Sequence, residues 1–316
     1  MIRKLIIDVD TGVDDAQAIM LALSCTEVEV VAITCVSGNV HVDQVCTNTI
    51  KVLAACGRLD IPVYRGADKS LIGGGMEATH YHGVDGLSDA GIEMDVSGTK
   101  VQKEHAVPAI IKLVNQYPEE ITLVALAPLT NIALAIRQDP GLGRKLAGVT
   151  IMGGNTQGVG NSTVCAEFNF AADPDAAFVV LQELNVRPTI LPWEVNLSGT
   201  SCQPWDWFDE WIKTDSEKAR FMKAIVQLPV HRQRVVGKMP FYRSCDLSAM
   251  ATVIDPEVIA ETQEVYATVE LAGNYTRGMM VVDWNGRLGK STNLTLVKEF
   301  NPGKARPHFE RMLLDV

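Results

Sequence analysis

The chain runs from an apolar segment, Leu5-Ile6-Ile7, directly into Asp8-Val9-Asp10-Thr11-Gly12-Val13-Asp14-Asp15-Ala16, which places four carboxylates within eight positions. The apolar run reads as a buried strand, and the break at Gly12 followed by an apolar-periodic segment reads as the start of a helix. Two like charges about 4 Å apart repel by roughly 4 kcal/mol at an effective dielectric near 20. Ionised aspartates crowded at such a junction therefore call for a cation. The basic side chains nearest in sequence, Arg3 and Lys4, stand at the opposite end of the strand. Asp8 and Asp10, two apart on an extended segment, are expected to share a face. Asp14 and Asp15, adjacent in a helix's first turn, diverge by about 100° and can take separate roles. An all-oxygen, carboxylate-rich set suits a hard ion, Ca²⁺ or Mg²⁺, rather than zinc. Helix capping alone accounts for one of these aspartates and not for four.

The 316 residues, 47% of them hydrophobic, suffice for one large α/β domain with a substantial core. A formal net charge of -10 argues against nucleic acid or an anionic membrane surface as a partner. No apolar run of about 18 residues is present, so no membrane-spanning helix is expected. A first strand beginning at Lys4 leaves no room for a signal peptide, which points to a cytoplasmic protein. The seven cysteines form no CxxC pair and read as reduced, mostly buried thiols.

Short β-rich runs alternate with helical patterns, the signature of a mostly parallel sheet flanked by helices in a single α/β domain. Strands are expected at Lys4–Val9, Val28–Val36, Thr122–Leu126, Val149–Met152 and Pro188–Leu191. Helices are expected at Asp14–Ser24, Val42–Cys56, Glu104–Gln116, Thr130–Gln138, Pro174–Leu184 and Ser216–Gln227, the fifth with Asp173 as N-cap and Pro174 at its first position. Residues 65–103 turn Gly-rich and polar and include His80-Tyr81-His82-Gly83. A loop of that length in a compact domain tends to be functional. Residues 201–246 read as a helical insertion carrying Trp205, Trp207 and Trp211, which more naturally anchor the insertion or an oligomer contact than line a site.

Ligands in open α/β sheets bind beyond the carboxyl ends of the parallel strands. The polar residues after each strand should thus converge: the aspartate cluster, Ser37-Gly38-Asn39, Pro128-Leu129-Thr130-Asn131, Gly153-Gly154-Asn155, then Asn161, Glu167 and Asn169. Amides and carboxylates in such number match the vicinal hydroxyls of a sugar, which both donate and accept. Read as extended, Ala166-Glu167-Phe168-Asn169-Phe170 puts Glu167 and Asn169 on one face and Phe168 on the other.

Those motifs, with Met152-Gly153-Gly154, Asp173-Pro174, Asp246 and Val253-Ile254-Asp255-Pro256, make the chain resemble the inosine-uridine preferring nucleoside hydrolases over nearly its whole length. The resemblance implies a Rossmann-like single domain and a homodimer or homotetramer. It implies Ca²⁺ held by Asp10, Asp15, the backbone carbonyl of Leu126 and Asp246. It further implies a ribose gripped by Asp14, Asn39, Asn161, Glu167 and Asn169 above Met152, with His82, Phe168 and Cys245 near the base. The chemistry is water attack on the N-glycosidic bond with Asp10 as general base, through an oxocarbenium-like ribose.

Many members of that family place a histidine directly before the second metal aspartate, where this chain has Cys245, and the resemblance is to a subgroup with cysteine there. A thiol with a pKa near 8.5 is a poor acid for a leaving purine at neutral pH. His82, His231, Tyr242 and aromatic stacking remain as alternatives, with Trp193 equally suited to the core or the site. Three other functions share parts of the pattern. A haloacid-dehalogenase-like phosphatase also ends a strand in Asp-x-Asp, but requires threonine where this chain has Gly12. A non-catalytic nucleoside- or ribose-binding protein needs the hydroxyl grips and gains nothing from Asp10. A structural oligomer could bind calcium for stability alone.

Overall fold

In strand β1 (Arg3–Val9) every residue from Leu5 onward is buried, because helices cover both faces of the sheet to which it is central. The computed structural model describes residues 2–94, 96 and 99–314. Parallel partners flank β1: β2 (Val28–Cys35) and β3 (Val63–Arg65) on one side, β4 (Ile121–Ala125), β5 (Gly148–Met152) and β6 (Thr189–Leu191) on the other. Two short antiparallel pairs lie outside this sheet: β7 (Gln203–Pro204) with β8 (Phe241–Tyr242), and β10 (Ala267–Val269) with β11 (Met280–Val282). The main sheet is completed by β9 (Ile259–Val265) and β12 (Leu294–Phe300), giving the order β3-β2-β1-β4-β5-β6-β12-β9. Only β9 runs antiparallel to its neighbour. As the edge strand it carries exposed Glu261, Gln263 and Glu264, charged and polar groups that discourage edge-to-edge pairing and erase the apolar signal of a strand.

The helices form two layers. Leu5, Ile7 and Val9 share a core with α1 (Val13–Leu23), α2 (Val42–Ala55), α12 (Cys245–Ile254) and α13 (Pro302–Met312). Ile6 points the other way, into a second core with α4 (Ala106–Gln116), α5 (Thr130–Gln138) and α7 (Pro174–Glu183). This is strand alternation made visible, one hydrophobic residue to each side in turn. Between these layers lie the short helices α3 (Thr79–His82), α6 (Phe168–Ala172) and α8 (Trp193–Leu197), all at the edge where the strands end.

Residues 201–246 form a helical lobe built from α9 (Trp205–Trp211), α10 (Glu217–Ile225), α11 (Gln227–Val230) and a π-helical segment, His231–Val236, closed by the β7–β8 pair. Its tryptophans tie it down. The indole N–H of Trp211 donates to the Phe309 carbonyl at 2.8 Å, that of Trp207 to Glu310 at 2.9 Å, and that of Trp205 to the Met239 carbonyl at 2.8 Å. Trp207 and Trp211 stack at 4.9 Å, so these rings pin the lobe to α13 rather than line a ligand site.

Several polar groups expected to face a ligand are instead scaffold. Asp8 is fully buried and accepts hydrogen bonds from Thr34 Oγ1 (2.5 Å) and Asn131 Nδ2 (2.8 Å). Strand geometry turns it toward the side of Ile6, while the chain leaves the strand before Asp10. The two aspartates thus part company. Asn131 also donates to the Cys35 carbonyl at 3.1 Å and accepts the Ala67 N–H at 2.9 Å. Asn155 braces its own loop through the carbonyls of Val159 and Cys165. Asp173 caps α7 by accepting the Ala176 N–H, as its sequence context predicts, and also accepts Thr130 Oγ1 at 2.7 Å. All seven cysteines are free. Because Asn131 is wholly buried and its side chain serves three partners, Asn131→Ala is expected to lower unfolding free energy by about 2–4 kcal/mol in denaturant titration.

Candidate active site

The carboxyl ends of the parallel strands open onto a cavity of about 360 Å³, within the range that accepts a small organic ligand. Asp10 follows β1, Asn39 follows β2, Leu126 follows β4, Met152 closes β5 and Trp193 follows β6, and all five line it. The first turns of α1 and α12 add Asp14 and Asp246, and the 65–103 loop contributes His80, Tyr81 and His82.

The deep end is acidic. Asp10, Asp15 and Asp246 are at most 4% exposed, and carboxylate oxygens of Asp14, Asp15 and Asp246 all lie within 4.8 Å of one another. Backbone N–H groups hold the set in place. Asp10 Oδ2 accepts the Asn39 N–H at 2.7 Å, and the Asp10 carboxyl also meets that of Asp15. Asp15 accepts the N–H groups of Gly12 (2.9 Å) and Asp10 (3.3 Å), and the Asn39 amide at 3.2 Å. Close approach dictates two glycines: a Cβ on Gly38 would lie 2.1 Å from Asp10 Oδ2, and one on Gly12 would lie 2.7 Å from His82 Nδ1. Burial, then neighbouring acids, pushes the carboxyls of Asp10 and Asp246 well above the carboxylate range, and that of Asp15 up to about 7. Asp14 Oδ1 is buried with no hydrogen-bond partner. Orphaned oxygen, mutual repulsion and an all-oxygen donor set fit a hard divalent cation.

The middle of the cavity is a polar cradle over Met152. The extended reading of Ala166–Phe170 is overturned here, because Glu167 is the N-cap of α6. Its carboxylate accepts the N–H groups of Asn169 (3.0 Å), Phe170 (3.2 Å) and Gly154 (2.9 Å), a local cap that outweighs strand alternation. Asn169 Nδ2 donates to the carbonyls of Leu126 (2.9 Å) and Met152 (3.0 Å), which leaves its Oδ1 unengaged at the cavity wall. Asn161 stands exposed at the mouth, and Phe168 borders the opening.

The outer end is aromatic. His82 Nδ1 accepts the Val13 N–H at 3.1 Å, so its proton sits on Nε2, 3.8 Å from Asp14 Oδ1. Burial lowers the pKa of this imidazole, which favours the neutral ring. Cys245 borders the cavity with its thiol pushed well above the usual range by burial. Trp193 is both core and wall, 6% exposed and lining the cavity, whereas His231 lies on the surface outside it. The sequence reading gave no role to Tyr81, which it placed in the 65–103 loop, and did not name Arg243, and both line the cavity. Both are brought in by Gln233, whose amide contacts the Tyr81 hydroxyl and the Arg243 backbone from a segment with no motif of its own.

A buried acid cluster thus lies beneath a polar cradle at the strand ends, and known proteins specify the class. The family model described as inosine-uridine preferring nucleoside hydrolase matches residues 5–306. An inosine-uridine preferring nucleoside hydrolase of Crithidia fasciculata is 36% identical over 285 residues, covering 90% of this chain and 89% of that one. A pyrimidine-specific ribonucleoside hydrolase, RihA, of Enterobacter sp. (strain 638) is 33% identical, covering 95% and 94%. A solved inosine-guanosine nucleoside hydrolase superposes with a TM-score of 0.91 at 34% identity over 100% of both chains. The protein is thus an enzyme, a ribonucleoside N-glycosidase. It belongs to the family of inosine-uridine preferring nucleoside hydrolases. No helix among the described residues is long and apolar enough to cross a membrane.

Burial raises the Glu167 carboxyl to about 7 despite its three N–H donors. A folded-state pKa above the unfolded value near 4.5 means that the native state takes up the proton first. Its contribution is fully present below the unfolded pKa and lost as pH rises through about 7. In chelator, the melting temperature is therefore expected to rise from pH 8 to pH 6. Glu167→Gln should flatten that rise in a calorimetric pH series.

Proposed function

We propose that this enzyme hydrolyses the N-glycosidic bond of ribonucleosides with Ca²⁺ held by Asp10, Asp15, Asp246 and the Leu126 carbonyl, and with Asp10 as general base. The observation that carries the reading is the position of Asp10. It sits beside the acid cluster in the wall of the cavity, with its Oδ2 pinned by the Asn39 N–H. When bound, a hard divalent ion supplies a polarised water and an anchor for ribose hydroxyls. Asp10 takes the proton from the attacking water. Asp14, Asn39, Asn161, Glu167 and Asn169 grip the ribose over Met152. As the bond to the base stretches, positive charge grows on the sugar ring, and the surrounding carboxylates stabilise it. Direct attack from the face opposite the base inverts the anomeric centre.

Cys245 is a neutral wall near the base in this reading. Its thiol has no histidine beside it, and the neighbouring Asp246 carboxylate disfavours the thiolate.

Asp10→Ala is expected to lower turnover by about 10³-fold or more while leaving the far-ultraviolet circular dichroism unchanged. Titration calorimetry on the same variant should show weakened Ca²⁺ binding. Undiminished activity would remove Asp10 from the mechanism. Cys245→Ala should cost less than about tenfold, since only a small wall group is lost. Proton NMR should show α-ribose as the first product from a β-nucleoside, and first-formed β-ribose would exclude direct attack. 2′-Deoxyribonucleosides should react about 10²-fold or more slowly, because a missing hydroxyl leaves buried polar partners unpaired.

A further inference from the structure

Strands β5 and β6 are parallel neighbours, so the segments that follow them run side by side at the cavity. After β6 the chain opens α8 with Trp193 and Glu194, and both hold the segment after β5. The Trp193 N–H donates to the Gly154 carbonyl at 3.0 Å. Glu194 Oε1 accepts the N–H groups of Thr156 and Gln157, each at 2.8 Å, while its Oε2 is buried without a hydrogen-bond partner. Hydrogen bonds from backbone N–H to a carboxylate are roughly twice as strong as those between neutral groups. Two of them on one oxygen make a firm anchor at the root of this loop.

The anchored segment folds back on itself and carries Asn161 between its two legs. Wholly buried Asn155 clamps the legs together, donating from Nδ2 to the Val159 carbonyl at 3.3 Å and the Cys165 carbonyl at 2.7 Å. The Gly160 N–H adds a bond to the Val164 carbonyl at 3.1 Å. The second leg runs into the Glu167 cap of α6. Asn161 lines the cavity, yet its side chain makes no hydrogen bond among the described residues, in contrast to Asn39, Glu167 and Asn169. Its amide is placed by the loop backbone alone. Apolar packing does not hold the outer side of that loop, since Val159 and Val164 are 49% and 76% exposed.

We propose that Glu194 is a positioning residue for the hydrolysis: by fixing the first leg of residues 155–165 to α8, it sets the place at which Asn161 meets the ribose. This rests on the ribonucleoside hydrolysis and the ribose grip proposed above. Glu194 does not line the cavity, so it acts through Asn161 and not on the substrate. Without its carboxylate, the N–H groups of Thr156 and Gln157 lose their acceptor and turn to water. The loop then gains freedom that it must surrender each time Asn161 engages a ligand, and that ordering is charged against binding. Both N–H groups use the same oxygen, so an acceptor at that point is required and the second oxygen is not.

The test is a double-mutant cycle on kcat/KM, using whichever of inosine and uridine the wild-type enzyme cleaves faster. Glu194→Ala and Asn161→Ala should each lower kcat/KM by about tenfold, with the same split between KM and kcat, because one residue acts through the other. The double variant should fall no more than about twofold below the more impaired single variant, whereas independent effects would multiply to about 100-fold. Glu194→Gln keeps an acceptor oxygen at the same reach and should stay within about threefold of wild type. Glu194→Asp, one methylene shorter, should behave as Glu194→Ala does, and it takes that variant's place in the cycle if Glu194→Ala does not fold. Multiplying effects in the double variant would overturn the proposal, as would a Glu194→Gln enzyme as impaired as Glu194→Ala. In both cases the hydrolase reading and the Asn161 grip survive. Full activity of Asn161→Ala removes that grip and the role of Glu194 with it, while the hydrolysis stands. A wild type that cleaves neither nucleoside removes the hydrolase reading and this proposal together.

Discussion

Keeping carboxylates dry is the constraint on which this molecule is built. Asp10, Asp15 and Asp246 are buried side by side, and burial and mutual repulsion both resist their ionisation. The protein offsets part of that penalty with directed N–H groups from Gly12, Asp10 and Asn39, and by seating acids in the first turns of α1 and α12, where the helix dipoles favour negative charge. The remainder is what a divalent cation relieves.

The surrounding polar residues divide by whether their hydrogen bonds are already spent. Asn131, Asn155 and Asp173 lie in the strand-end region with the acids, but their hydrogen bonds are spent on protein partners, while Asp8 turns away and accepts from Thr34 and Asn131 through Oδ1. Asn39 and Asn169 are half spent. Their amide N–H groups hold Asp15 and two carbonyls, and their remaining acceptors face the cavity. Glu167 is anchored by three N–H donors and still forms part of the wall. Rigidity of this kind keeps these groups at fixed spacing, so that on the proposed reading the ribose meets donors and acceptors that need no reorganisation.

The two ends of the cavity have different structural origins. In the proposed reading the sugar end is made at the sheet edge, from the short loops that follow β1, β2 and β4 and from residues 153–167 after β5. The base end is assembled from the α3 loop, the lobe at 201–246 and the start of α12, joined by Gln233 and by the Gln17–Tyr242 hydrogen bond of 2.6 Å. On the proposed reading, chemistry shared by ribonucleosides lies on the rigid scaffold and discrimination among bases on the added lobe. Related enzymes named for different bases are consistent with that division.

Hydrophobic periodicity and capping are local properties, and wherever local forces decide, the amino-acid order was sufficient. It placed β1, β2, β4, β5 and β6 and the helices α1, α2, α4, α5, α7 and α10 to within a few residues, named Asp173 as a cap, and brought the acids, Asn39, Met152 and Trp193 to one edge, while leaving out β3 and β12. It missed β9, because an edge strand facing water needs no apolar face, and it misread Ala166–Phe170, because the Glu167 cap competes with alternation over so short a span. The withdrawal of Asp8 from the acid cluster and the entry of Arg243 into the cavity were decided by tertiary structure alone. Asp8 turns away because Thr34 and Asn131, remote in sequence, satisfy it. Arg243 turns inward because Gln233 and Trp193 meet it only after the lobe has folded back. Side-chain fates of that kind depend on partners far along the chain, and no window of sequence contains both halves of the interaction.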